Sequence, residues 1–88
     1  MKSTSKKAAS FTLTGEVTEI YSGAKQNDYV TVKVTRGEYY DLFRVICDKS
    51  AGVEVGDKCI FSGSVSTFWN KEKKVTNYNF YAENIKEA

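Results

Sequence analysis

Apolar and polar side chains alternate along most of the chain with a period of two, which is typical of β-strands. In the first predicted strand, from about Phe11 to Tyr21, Phe11, Leu13 and Val17 alternate with threonine and glutamate. Ile20 then falls on the opposite parity. Because this change of phase follows Gly15 in mid-strand, we expect a bulge or a sharp bend in the strand.

Four further strands are predicted from the same alternation, each separated from the next by polar residues. They run from Tyr29 to Thr35, from Tyr39 to Cys47, from Lys58 to about Trp69 with Gly63 in its middle, and from Val75 to about Ile85. The segment from Asp48 to Val55 is too short for a long helix. It predicts a brief crossover between the third and fourth strands.

Five strands, a short crossover and two mid-strand glycines together predict an all-β, five-stranded Greek-key barrel, the OB-fold. Composition supports this fold class, since Val, Ile, Thr and aromatic residues make up 33 of 88 residues and fit a pleated, half-buried surface. Residues 10–88 form the predicted domain. Residues 1–9 are small, polar and basic without periodicity, so we expect a flexible basic tail.

The composition argues against an enzyme and against a bound metal or cofactor. The chain has no His, which removes the usual neutral-pH acid/base and the His-dependent nucleophile and zinc systems. Cys47 and Cys59 each sit in an apolar run, so we expect buried free thiols rather than a disulfide or a metal site. No apolar run reaches the ~20 residues of a membrane span, and no secretory signal is recognisable. We therefore expect a cytoplasmic protein without membrane contact.

The net charge of +2 derives from the N-terminal segment. Without Lys2, Lys6 and Lys7, the remaining chain has 10 basic and 11 acidic side chains. A role in nucleic-acid binding therefore has to depend on a local basic patch and on aromatic residues, since the overall charge is close to neutral.

Candidate binding residues are those on the strand surfaces that do not pack into the core. In the second strand the valines take the core, so Tyr29, Thr31 and Lys33 point outward, as a stacking and phosphate-binding unit or as an ordinary solvated face. In the third strand an unpaired Arg44 belongs outside a small barrel. Tyr40, Leu42 and Ile46 share its parity, and this outward row suggests either a binding surface or a subunit interface.

Phe68 and Trp69 give the strongest local signal, because they precede a loop containing Lys71, Lys73 and Lys74. Aromatic rings beside cations suit sequence-tolerant binding of single strands, in which bases stack and ammonium groups neutralise phosphates. The alternative is that Trp69 caps the barrel end and the lysines keep a hairpin soluble. In the fifth strand, Asn77, Asn79 and Tyr81 share one parity and Tyr78 and Phe80 the other. Such asparagines could hydrogen-bond bases or be ordinary on a sheet edge.

Several segments resemble the bacterial-type single-stranded DNA-binding proteins. The strand at 11–17 is similar to that family's opening apolar-x-Leu-x-Gly-x-Leu strand, and 44–47 with Lys49 and Ala51 resembles its third strand and the start of its crossover helix. Residues 55–65 resemble its glycine-containing fourth strand, and 80–85 the end of its fifth. The chain departs from the family in its abbreviated crossover, its short hairpin around Arg36–Glu38 and its lack of an acidic tail ending in Phe. A compact phage or plasmid version, or a primosomal relative, would fit these differences.

The resemblance implies a DNA-binding surface on the second and third strands and the hairpin loops. Carried over by position, it implicates Lys33, Tyr40, Leu42, Arg44, Phe68, Trp69 and Lys71, with Lys73 and Lys74 in the loop.

The sequence therefore predicts a non-enzymatic protein that binds single-stranded DNA with little sequence preference, in DNA replication, recombination or repair. The cytoplasm would be that of a bacterium or of a phage-infected host. Phosphates would be neutralised by Lys33, Arg36, Arg44, Lys71, Lys73 and Lys74, and bases would stack on Phe68, Trp69 and one or more of Tyr29, Tyr39 and Tyr40. A homodimer or tetramer would lengthen the binding track. The alternatives are a single-stranded RNA binder, a protein-interaction adaptor on the same fold, and a barrel with a sugar or small-molecule site.

Overall fold

The computed structural model describes residues 9–23 and 25–88. Within them the chain forms five strands, β1 (Ser10–Ser22), β2 (Asn27–Arg36), β3 (Tyr39–Asp48), β4 (Lys58–Asn70) and β5 (Val75–Glu87), and a short 3-10 turn at Lys49–Ala51. All five predicted strands are present, each slightly longer than its alternation indicated. The predicted tail lies, apart from Ala9, outside the described residues.

The strands close into a barrel in the order β1-β2-β3-β5-β4, with β4 returning to β1. Neighbouring strands are antiparallel except for β3 and β5, which are parallel. A closed five-stranded barrel with a connection crossing between β3 and β4 is the OB-fold, so the predicted fold class is confirmed.

Two irregularities allow the strands to bend around the barrel. The pairing register shifts between Val17 and Glu19, where Thr18 is an extra residue of β1, and opposite Ser62 and Gly63 of β4, where Glu83 is an extra residue of β5. A side chain at Gly63 would collide with the carbonyl oxygen of Tyr81 on the neighbouring strand. The bulge in β1 is the one indicated by the phase change at Ile20, since an extra residue reverses which face the following side chains occupy.

The barrel interior is filled by one cluster of small and aromatic side chains. Val17, Val30, Val32, Val45 and Phe61 are each at most 1% exposed. Cys47 and Cys59 complete the buried cluster as free thiols, as predicted. The valine face of β2 therefore takes the core, and the residues between the valines point away from it.

The crossover from β3 to β4 is as short as the sequence indicated. Asp48 caps the 3-10 turn, because its Oδ1 accepts hydrogen bonds from the backbone N–H of Ser50 at 2.8 Å and from its hydroxyl at 2.7 Å. These bonds lower the pKa of the Asp48 carboxyl. Gly52 ends the turn with a φ of 71°, a left-handed conformation that glycine adopts without strain.

In the part of the chain that the structure describes, no helix is long and apolar enough to cross a membrane.

The buried thiol of Cys47 makes stability depend on pH. Burial raises its pKa from the ordinary 9.0 to about 11, with smaller contributions from Asp28 and Cys59. Because the folded state favours the protonated thiol, this contribution to stability is complete below the unfolded pKa and is lost as the pH rises toward the folded one. We expect the free energy of unfolding to fall by on the order of 2 kcal/mol over this interval on account of Cys47.

Chemical denaturation at a series of pH values measures this loss in the wild type and in Cys47→Ala. Other groups titrate in the same interval, so the informative quantity is the difference in slope between the two proteins. The variant should lack the Cys47 part of the decline. Equal slopes of unfolding free energy against pH in the two proteins above pH 9 would show that Cys47 does not cause this part of the decline.

Candidate functional site

The outward surface of β1, β2 and β3 carries a continuous set of aromatic, aliphatic and basic side chains, which we call the barrel face. In the β2–β3 pair Tyr29 lies opposite Ile46, and Lys33 lies opposite Leu42. Directly opposed residues project from the same side of the sheet. Arg44 is exposed whereas its neighbour Val45 is buried, so the predicted outward direction of Arg44 is confirmed. The barrel face consists of Tyr21, Tyr29, Lys33, Tyr40, Leu42, Arg44 and Ile46.

Tyr21 joins this surface because of the bulge in β1. It lies opposite Tyr29 in the β1–β2 pair and is 47% exposed. Its hydroxyl donates a hydrogen bond to Oε1 of Glu19 at 2.9 Å. This bond and the nearby carboxylate charge raise the pKa of the Tyr21 hydroxyl. The ring is thereby anchored at its polar end while about half of its side chain stays exposed.

The two cations of the barrel face lie over tyrosine rings. The guanidinium carbon of Arg44 is 5.7 Å from the ring centre of Tyr21, and Nζ of Lys33 is 4.7 Å from that of Tyr40. Arg44 reaches across β2 to do this, past Thr31, which lies opposite it and is 8% exposed. Within residues 9–23 and 25–88, neither cation forms an ion pair. Both charges therefore remain available to an anionic ligand.

A cleft of ≈ 320 Å³ opens where β3 and β5 separate. The two strands pair at Val45 with Phe80 and at Ile46 with Tyr81, and the β4–β5 hairpin continues past this point. One wall of the cleft comes from the barrel face and the other from the hairpin. Its lining residues are Tyr29, Arg44, Ile46, Phe68, Asn77, Tyr78, Asn79 and Phe80.

A second, shallower depression of ≈ 400 Å³ lies beside the cleft on the same face. Lys33, Tyr40 and Leu42 line it together with Glu19 and Thr31. Arg44, which is opposite Thr31, lines the cleft. The cleft and the depression thus adjoin at Arg44 and form one path over the barrel face, with rings and cations along it.

Phe68 and Trp69 lie on opposite faces of the β4–β5 hairpin. Phe68 pairs with Asn77 and lines the cleft, whereas Trp69 pairs with Thr76 and does not. Both rings are well exposed, at 50% and 58%. Phe68 and Trp69, which the sequence pattern grouped as one stacking site, therefore lie on different surfaces.

The turn that joins β4 to β5 carries Lys71, Lys73 and Lys74, all exposed. Asn70 organises it: its Oδ1 accepts from the backbone N–H of Lys73 at 3.0 Å, and its carbonyl oxygen accepts from that of Lys74 at 2.7 Å. Lys74 has a φ of 56°, which is strained for a residue with a Cβ. The three ammonium groups are held at the tip of the projecting hairpin, beyond the cleft.

Arg36 and Tyr39 form a separate group at the tip of the β2–β3 hairpin. They lie opposite each other on the parity of Val32 and Val34, so they face away from Lys33. Arg36 Nε donates to Oδ2 of Asp41 at 2.7 Å, and this guanidinium lowers the pKa of the Asp41 carboxyl. The Arg36 charge is thus already neutralised in part.

The structure brings together half of the residues that the sequence singled out. Tyr29, Lys33, Tyr40, Leu42, Arg44 and Phe68 meet on the barrel face and its cleft. Arg36, Tyr39, Trp69, Lys71, Lys73 and Lys74 lie on the two hairpin tips or their other faces. Tyr21 was not among the residues predicted from the sequence. The phase change at Ile20 was the signal that indicates its outward direction.

The fold and this surface define an OB-fold barrel with an aromatic and basic outer face. Comparison with known protein-family models matches no family, and comparison with curated proteins gives no match. No group of three or more His, Cys, Asp or Glu in the described ranges could hold a metal ion. The function therefore has to be inferred from the side chains themselves.

Replacing Lys74 with glycine tests the strain in the hairpin turn. Because glycine adopts a positive φ without steric cost, Lys74→Gly should raise the free energy of unfolding by about 0.5–1 kcal/mol. Lys73→Gly is the matched control: it removes the same charge from the same turn at a residue without a positive φ, and should lower stability by a similar amount. Chemical denaturation measures the free energy of unfolding of both variants. A loss of stability in both would show that Lys74 is not strained.

Proposed function

We propose that this protein binds single-stranded DNA across the barrel face, with little sequence preference. The observation that carries the proposal is the pairing of Arg44 with Tyr21 and of Lys33 with Tyr40, each a cation over an exposed ring without a carboxylate partner. Two such pairs side by side provide what a single strand needs, a flat surface for a base and a positive charge for the adjoining phosphate.

Surface exposure supports stacking of bases on this face. Tyr21, Tyr29 and Tyr40 are 47%, 38% and 55% exposed, and Phe68 is 50% exposed. Large rings exposed together in a small barrel indicate a binding surface rather than core packing. Each stacked base contributes about 1–3 kcal/mol, and every base has a face that can stack, so such binding tolerates any sequence.

The same arrangement favours single strands over a duplex. In a duplex the bases are stacked on one another, and their faces are not accessible to protein rings. A flexible single strand can turn successive bases into the cleft and the depression while its phosphates approach Arg44 and Lys33. The path through these two sites suits a few nucleotides, in keeping with the short footprint of one OB-fold.

The hairpin lysines would extend the binding track beyond the cleft. Lys71, Lys73 and Lys74 project from the tip of the hairpin that carries Phe68. Glycine would be more stable than lysine at the left-handed position of this turn. A strained lysine there is therefore better explained by a role for its charge in binding. Trp69, on the other face of the hairpin, would contact a strand that passes around the tip.

The proposal includes the role suggested by the resemblance, namely protection of single strands during replication, recombination or repair in the cytoplasm of a bacterium or a phage-infected host. A homodimer or tetramer would join several short paths into a longer one. RNA, which stacks on the same rings, is the nearest alternative ligand, since contacts to the 2′-OH separate the two.

Removal of single cations should identify the binding surface. With a fluorescently labelled oligo-dT of roughly 16 nucleotides, Arg44→Ala and Lys33→Ala should each weaken binding and reduce the salt dependence by about 0.7 in the slope of log K against log salt, because one phosphate contact is lost. Fluorescence anisotropy over a range of salt concentrations measures both quantities.

Arg36→Ala is the matched control, because Arg36 is an exposed strand cation that faces the other way and pairs with Asp41. It should change neither the affinity nor the slope appreciably. The proposal is wrong if Arg36→Ala weakens binding as much as Arg44→Ala, or if no oligonucleotide binds. Duplex DNA should bind much more weakly than oligo-dT, and equal affinity for RNA would widen the function to single strands in general.

A further inference from the structure

Two asparagine side chains point into the cleft between β3 and β5. Asn77 and Asn79 are alternate residues of β5, so they project from the same side of the strand. Both line the cleft and both are half-buried. In the part of the chain that the structure describes, neither side-chain amide has a hydrogen-bond partner. Each therefore presents a free donor and a free acceptor to whatever occupies the cleft.

The walls around these amides are aromatic. Phe68 lies directly opposite Asn77 on β4, and Tyr29 lines the cleft from the barrel side. The two amides are about 7 Å apart along the strand, given the rise of an extended chain. A planar group between the rings would present its edge to both amides. Arg44 lines the same cleft and supplies a positive charge at its border.

We propose that the cleft holds one unstacked base of the bound strand and reads its edge through Asn77 and Asn79, with adenine preferred. This inference rests on the proposed function and adds one selective position to an otherwise sequence-tolerant site. Nucleobases are flat, neutral and edged with hydrogen-bonding groups, which matches a cleft with ring walls and two uncharged amides.

Adenine fits two amides better than the other bases do. An amide pairs with a neighbouring donor and acceptor, and asparagine commonly binds adenine through N6 and N7. The N6 amino group also has N1 beside it, so adenine offers such a pair on both edges. No other base has an amino group with a ring acceptor on both sides. The N4 amino group of cytosine is flanked by N3 and a C–H, the N2 amino group of guanine by N3 and the N1–H donor, and thymine has no amino group.

The experiment compares labelled oligo-dT of roughly five nucleotides, close to the short footprint of one barrel, with the same oligonucleotide carrying one central dA, dC or dG. Such a short strand offers few registers, so a preference at one of them is not hidden by many equivalent dT registers. The wild type should bind the dA-containing strand about tenfold more tightly than oligo-dT, the effect expected of one bidentate pair. Replacement by dC or dG should have a smaller effect.

Asn77→Ala combined with Asn79→Ala should reduce the preference for dA to about one. A far-UV circular dichroism spectrum and an unfolding midpoint like those of the wild type show that the variant is folded. Asn79→Asp keeps the shape of the side chain but cannot donate to adenine, and should lower the ratio of dA to dT affinity. Asn84→Ala is the matched control, since Asn84 is an exposed asparagine of β5 outside the cleft, and it should keep the preference.

Salt-sensitive binding of oligo-dT by the wild type without a preference for dA would overturn this inference and leave the proposed function standing. A preference that survives the double substitution would also overturn it, because another group would then read the base. Failure to bind any of the four oligonucleotides would remove the proposed function and the inference together.

Discussion

The short parallel pairing of β3 with β5 determines both how the barrel closes and where its surface opens into a cleft. In the described residues these strands pair at Val45 with Phe80 and at Ile46 with Tyr81, whereas β2 and β3 pair over the whole of both strands. This contact closes the barrel around its valine core. Past it, each strand stays with its own hairpin partner and the two hairpins diverge. The cleft is the space between them, and the exposed rings of Tyr40 and Phe68 lie on the strands beyond the closed part of the barrel.

The local positive charge of the barrel face depends on which cations are paired with carboxylates and which are not. Arg36 pairs with Asp41 and Lys49 with Asp28, each at 2.7 Å, so these charges are neutralised in part where they lie. Arg44 and Lys33 lie instead over tyrosines, whose rings attract a cation without cancelling its charge. A nearly neutral barrel can thus carry a local positive face, and at physiological salt a phosphate within about 8 Å would still experience it.

The sequence predicted the strands and the fold because period-two alternation and mid-strand glycines are local signals. The outward direction of Arg44 followed from the cost of burying an unpaired charge. The grouping of site residues was less accurate, since Phe68 and Trp69, as neighbours in a strand, face opposite sides. Which of the two faces the cleft is decided by the pairing of β5 with β3, a contact between distant segments. The pairing of Arg36 with Asp41 is local, across the β2–β3 turn, but it depends on side-chain conformations that the alternation of apolar and polar residues does not specify.

An NMR titration of ¹⁵N-labelled protein with oligo-dT, following each backbone amide and the Trp69 indole, maps the contact surface most directly. If the barrel face binds the strand, the largest shifts occur at Lys33, Arg44 and Phe68, and they exceed those at the Arg36–Tyr39 hairpin tip. Shifts concentrated on the β1–β4 side of the barrel, or at that hairpin tip, would show that the barrel face is not the nucleic-acid site.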